Sequence, residues 1–125
     1  MKKRLFSVVL VVVMAFSVTS AFAIDFSGNT INEVSWKTFV SASPTLPTFG
    51  VHLTAASKPV VGQCFMSDDN WTWGSALYTY PKNGNSGYSY RSYTSNVNGS
   101  IGINWRMRTN NDVSGAAHVE GDFKP

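Results

Sequence analysis

The chain reads as an all-β protein, a small antiparallel β-sandwich of six to eight short strands behind a cleaved N-terminal signal helix. Two observations predict that class. Beyond residue 23 apolar residues recur at every second position, the period of half-buried strands, and clusters of Gly, Asn, Asp, Ser and Pro break these runs at short intervals. No stretch of this region carries a convincing helical period, so sheet packed on sheet is the architecture that buries its apolar faces.

The first element is the address. Lys2, Lys3 and Arg4 precede an apolar run from Leu5 to about Phe16, and Ala21-Phe22-Ala23 places small residues two apart before a cut. That is the pattern a secretion signal presents to its peptidase. A membrane span needs about 20 apolar residues, and Ser17, Thr19 and Ser20 interrupt this one too early. Residues 1–23 are therefore expected to leave, with no stable membrane anchor afterwards, and residues 24–125 to form one domain outside the cell, or in the periplasm if the host has an outer membrane.

Removing the signal changes the charge. Three of the ten basic residues leave with it, and the seven that remain are matched by seven acids, so the side chains of residues 24–125 carry no net charge. Nucleic-acid binding needs a surplus of Lys and Arg to displace counterions, and none is present. Cys64 is the only cysteine, which excludes an internal disulfide and favours a buried thiol acting as a small hydrophobe.

Taken in order, Val34, Trp36, Thr38 and Val40 form a weak inward set. Phe49, Val51, Leu53 and Ala55 form a stronger one, opposite Gly50, His52 and Thr54. Val60 to Met66 is apolar on both faces, as a central strand is. Ile101, Ile103, Trp105 and Met107 oppose Gly102, Asn104, Arg106 and Arg108, and Ala117, Val119, Gly121 and Phe123 oppose His118, Glu120, Asp122 and Lys124. The turns at 67–70, 81–87, 96–99 and 110–115 separate the later runs. The last three strands are expected to form a meander, and the loop at 81–87 to close a hairpin with Tyr80 opposite Tyr88 and Tyr78 opposite Tyr90.

Aromatic residues carry the strongest hint of activity. Fourteen of them lie beyond residue 23, nine from Phe65 to Trp105. In that hairpin four tyrosines share one sheet face, since cross-strand partners stand about 5 Å apart. Such a face stacks on sugar rings or serves as a protein interface; the alternative is that the rings are the core and its rim. Arg91, Arg106 and Arg108 lie on or near this half, where forked guanidinium groups can hold an anion or simply form a solvated strand face that blocks edge pairing. The candidate ligand-binding set is thus Tyr78, Tyr80, Tyr88, Tyr90, Arg91, Arg106 and Arg108.

Catalytic and metal sites are not expected, and no cofactor is implied. The zinc-helix, nucleophile-elbow and phosphate-loop patterns are missing from the sequence. His118, Glu120 and Asp122 share one strand face at spacings of about 7 Å, too long for a direct triad but short enough for a bridging metal. Cys64 with His52 or His118 makes a thiol pair only where the fold joins them.

Trp105-Arg106-Met107-Arg108-Thr109, followed by the run from Ser114 to Pro125, resembles the ending of small uncharacterised exported β proteins of Gram-positive bacteria. The size and the Tyr-, Gly-, Asn- and Ser-rich strands are also similar to secreted bacteriocins of the lactococcin 972 type. These likenesses imply a small secreted β domain and no particular site. The expected function is non-enzymatic recognition of a cell-envelope glycan or a surface protein. The alternatives are a bacteriocin-like antagonist of other bacteria and a small metal-assisted hydrolase, with the oligomeric state open.

Overall fold

The computed structural model describes residues 22–67, 72–95, 97 and 102–125. Residues 1–21 of the expected signal, the turn at 68–70, Trp71, Ile101 and most of the 96–100 connection lie outside them. Eight strands follow in order: β1 (Ile24–Asn29), β2 (Lys37–Ala42), β3 (Thr48–Ala56), β4 (Val60–Met66), β5 (Tyr78–Tyr80), β6 (Ser89–Ser92), β7 (Ile103–Thr109) and β8 (His118–Lys124). They form two four-stranded antiparallel sheets, sheet I in the order β1-β8-β3-β6 and sheet II in the order β2-β7-β4-β5. The all-β sandwich expected from the alternation is the fold.

The connectivity differs from expectation. Only β4 and β5 are consecutive strands of one sheet; every other connection crosses to the opposite sheet. The meander is therefore absent: β6 and β8 belong to sheet I and β7 to sheet II. The hairpin at 81–87 is absent too, because β5 pairs with β4 and β6 pairs with β3. Loop chemistry supplies the reason. Pro81 has no N–H to extend the β5 ladder, while Asn83 (φ 74°) and Gly84 (φ 78°) turn the chain through two left-handed residues. The loop then anchors on β3: Asn83 N–H donates to Ala56 O, and Asn85 N–H to Leu53 O. The Asn85 side chain accepts from Leu53 N–H and donates to Val51 O, imitating a strand peptide. A Cβ at Gly84 would stand 2.0 Å from Leu53 O, so the close approach as well as the dihedral demands glycine.

Alternation places the core correctly where strands are regular. Ile103, Trp105 and Met107 of β7 are buried, as are Val119, Gly121 and Phe123 of β8 and Ala117 just before it. Full burial of a Leu- or Phe-sized side chain stabilises by roughly 1.5–3 kcal/mol. Two β-bulges correct the other sets. A shift between Leu53 and Ala55 sends Ala56 rather than Ala55 into the core. In the set predicted around β2 only Val40 is buried: a second shift lies between Thr38 and Val40, while Val34, 73% exposed, and Trp36 precede the strand. Strand β4 is buried along its whole length, as its two apolar faces predict. Cys64 lies within it, fully buried, and desolvation pushes its thiol far above the ordinary range.

Aromatic contacts close both sides of the sandwich. Phe26 and Phe39 meet edge-on at 5.8 Å beside β1 and β2. On the other side Phe49 packs against Phe123 at 5.6 Å and Tyr93 at 5.0 Å. At one end of the sandwich the buried Thr30 and Thr109 hydroxyls share a 2.7 Å hydrogen bond. Thr109 donates to Gly115 O while Ala117 N–H donates to Thr30 Oγ1, so these buried polar atoms are satisfied.

Candidate functional site

The seven residues singled out from the sequence do not form one surface. Tyr80 is 4% exposed and packs edge-on to Trp105 at 6.2 Å, so it belongs to the core. Burial raises its phenol well above the ordinary range. Tyr78 is half-buried at the β5–β6 side, between Phe49 at 6.3 Å and the Arg91 guanidinium at 4.8 Å from its ring centroid. Arg106 and Arg108 lie on the outer face of sheet II, opposite Gln63 and Val61. Of the four tyrosines only Tyr88 and Tyr90 share an outer sheet face, that of sheet I.

On the outer face of sheet II the arginines are engaged by neighbouring rings and acceptors, although Trp73, bridged to Phe65, stays 66% exposed beside them. The Arg106 guanidinium stands 5.0 Å from the Phe65 ring centroid, and its Nε donates to Thr38 Oγ1 at 2.9 Å. Arg108 stands 5.0 Å from the Trp36 centroid and donates through Nη1 to Glu33 O at 2.9 Å and to Asn111 Oδ1. Trp36 meets Phe65 edge-on at 5.3 Å. These contacts cover the outer side of β4, and desolvation lowers the Arg106 pKa.

Sheet I presents a different outer face, because its register lines up side chains of opposite chemistry. Gly50 pairs with Tyr90 on one side and Lys124 on the other. One step along, His52 pairs with Asp122 and Asp122 with Asp25, while the Tyr88 ring stands 5.4 Å from the His52 ring. The row His52, Asp122, Asp25 thus crosses β3, β8 and β1, and Tyr88, just before β6, extends it on the other side. Tyr88 and Tyr90 lie 6.0 Å apart at 31°, and Tyr90 is 59% exposed. Their rings rest over Gly50, where a Cβ would stand 2.9 Å from Tyr90 Cε1 and 3.3 Å from Tyr88 Cδ1. The Lys124 ammonium lies 4.0 Å from the Tyr88 centroid.

Electrostatics grade this face from one edge to the other. His52 Nδ1 is 3.9 Å from Asp122 Oδ2. Asp122, first as hydrogen-bond partner and then as a like charge, raises the Asp25 carboxyl above its ordinary value. Partial burial, followed by the Asp122 charge, raises the Tyr88 phenol. Farther along β8, His118 Nε2 stands 3.1 Å from Glu120 Oε1 and Nδ1 3.1 Å from Asn29 Oδ1. Among the described residues no three His, Cys, Asp or Glu side chains are placed to hold a metal ion.

Alternation had already put Gly50 and His52 on one strand face, and Asp122 and Lys124 on another. What joins them is the pairing of β3 with β8, across a long stretch of chain that no local pattern reports. Fold and site together define an antiparallel β-sandwich with one outer sheet face carrying tyrosines, an imidazole and carboxylates. No family model, curated protein or solved structure matches the chain.

Proposed function

We propose that this is a secreted, non-enzymatic recognition domain that captures a glycan of the cell envelope on the outer face of sheet I. The observation that carries the reading is the tyrosine pair over Gly50: two rings 6.0 Å apart, one of them mostly open to solvent, held against the sheet where no side chain intervenes. Flat aromatic surfaces with hydroxyl edges stack on the apolar faces of sugar rings. The neighbouring His52, Asp122 and Lys124 offer the donors and acceptors that sugar hydroxyls require. Export is supported by the basic, apolar and small-residue pattern of residues 1–23, and β1 begins at Ile24, immediately after the expected cut.

The test is cosedimentation of the 24–125 chain with peptidoglycan sacculi stripped of protein and secondary polymers. Tyr90→Ala is expected to weaken retention about tenfold, the loss of one aromatic contact of about 1.4 kcal/mol, while circular dichroism stays unchanged. Gly50→Ala is expected to give a similar loss by lifting both rings without removing either. Retention of both variants at the wild-type level rejects this face as the binding site.

A further inference from the structure

We propose that ordered water is built into the sandwich core between the β5 and β6 edges, held by the Tyr80 and Tyr93 hydroxyls and the Trp105 indole N–H. The site is separate from the outer face of sheet I and does not depend on the glycan reading.

Strand β5 is an edge of sheet II and β6 an edge of sheet I. Tyr80 pairs with Val60 and Trp105 with Cys64, and all four side chains are buried, so both rings enter the core from the inner face of sheet II. Tyr93 directly follows β6 and is tied by its backbone N–H to Pro47 O. The rings form one cluster. Tyr80 meets Trp105 edge-on at 6.2 Å, and Phe49 lies 5.9 Å from Trp105 and 5.0 Å from Tyr93. On the outside Tyr78 packs on Phe49 at 6.3 Å, and the exposed Arg91 lies over Tyr78.

Three polar atoms of this cluster, Tyr80 Oη, Tyr93 Oη and Trp105 Nε1, are buried, and no protein group among the described residues bonds to them. Tyr80 is 4% exposed and Trp105 is fully enclosed. Burial raises both phenols above their ordinary range, and the Cys64 thiol acts on each of them electrostatically. Each hydroxyl therefore keeps its proton and can donate as well as accept, whereas the indole only donates. A guest that satisfies all three must both accept and donate, and the packed rings require it to be small. Water meets both conditions, and a buried water makes about three hydrogen bonds to polar atoms of this kind. A buried hydrogen-bonding group left unpaired lowers the folding equilibrium constant about fivefold or more. Three such groups in one cluster make a hydrated core the stable arrangement.

The experiment is a crystal structure of the 24–125 chain at a resolution that shows water, together with urea denaturation of Tyr80→Phe, Tyr93→Phe and the double variant. An enclosed oxygen is expected within about 3 Å of at least two of the three atoms. Phe keeps the ring, so packing on Trp105 and Phe49 survives in each variant. Each single substitution is expected to lower the folding constant about fivefold. The double variant is expected to lose clearly less than the product of the two, because either change already disturbs the shared water. A core with no enclosed oxygen, or Phe variants at least as stable as wild type, overturns the proposal. Strictly multiplicative losses overturn the sharing of water between the two hydroxyls.

Discussion

The two outer faces of the sandwich are built from similar residues and do opposite things with them. On sheet II, Arg106 and Arg108 lie over Phe65 and Trp36 and bond to Thr38, Glu33 and Asn111, so cation and ring serve each other. On sheet I, Lys124 lies over Tyr88, but Tyr90 is left open and the rest of the row consists of groups that titrate. The difference follows from what stands beneath. Sheet II must cover the outer side of β4, where Val61, Gln63 and Phe65 are all buried; sheet I has strands whose outer residues are already polar. An aromatic next to a cation is thus a cover in one case and a platform in the other. The neighbouring strand decides which.

The sharpest way to break the comparison is Gly84→Ala. A Cβ there meets Leu53 O at 2.0 Å in a left-handed backbone, and neither fault has a flexible side chain to absorb it. The substitution is expected to cost about 3 kcal/mol and to act on one face first. The loop at 81–87 is what anchors β6, and with it Tyr88 and Tyr90, to β3. Hydrogen exchange is expected to accelerate at Ser89 to Ser92 well before the amides of β7, and sacculus binding to be lost. Equal acceleration in both sheets defeats the claim that the platform depends on this loop.

How much of this was legible in the sequence depends on the range of each interaction. The alternation of Ile103, Trp105 and Met107, and of Val119, Gly121 and Phe123, is a local signal, and it identified the core of β7 and β8. The Pro81 to Gly87 loop was legible as a turn but not as a crossing between sheets. The bonds that redirect it go to Val51, Leu53 and Ala56, which no neighbouring residue announces. Tyr78 and Tyr80 were drawn into the candidate surface by that missing hairpin, and the structure assigns them to the side and the core. Gly50, His52, Asp122 and Asp25 were visible only as polar positions on separate strands. Their meeting depends on β3 and β1 pairing with β8, a register set by the burial of the opposite face. The two bulges escaped for a related reason: an extra residue shifts the alternation without leaving a compositional mark.

Arg108→Ala tests the other face. It removes the guanidinium that ties the Glu33 backbone to the end of β7 and covers Trp36. The expected loss is about 2 kcal/mol from a charge-assisted hydrogen bond and a cation–π contact, read as a lower denaturation midpoint. Arg108→Lys is expected to recover only part of it, because an ammonium lacks the planar fork. Glycan retention by the folded fraction is expected to stay at the wild-type level. A selective loss of retention moves the binding surface to sheet II and reverses the roles of the two faces.

The smallest expected effect concerns stability along the polar row. Asp25 has a folded-state pKa raised above the 3.8 of an unperturbed aspartate. The folded chain therefore binds this proton more tightly than the unfolded chain does. Its stabilising contribution is complete below the unfolded value and disappears as pH rises through the folded one. Above that window two ionised carboxylates face each other across β1 and β8. Asp25→Asn removes the repulsion and keeps an amide N–H that can donate to Asp122. Thermal denaturation is expected to show the variant slightly more stable than wild type near neutrality, with the gap closing towards pH 3. Because Asp25 is exposed and Asp122 only half-buried, solvent and salt reach the pair and screen the repulsion, and added salt is expected to narrow the gap at neutral pH. A gap that persists unchanged in strong acid assigns the difference to packing rather than charge.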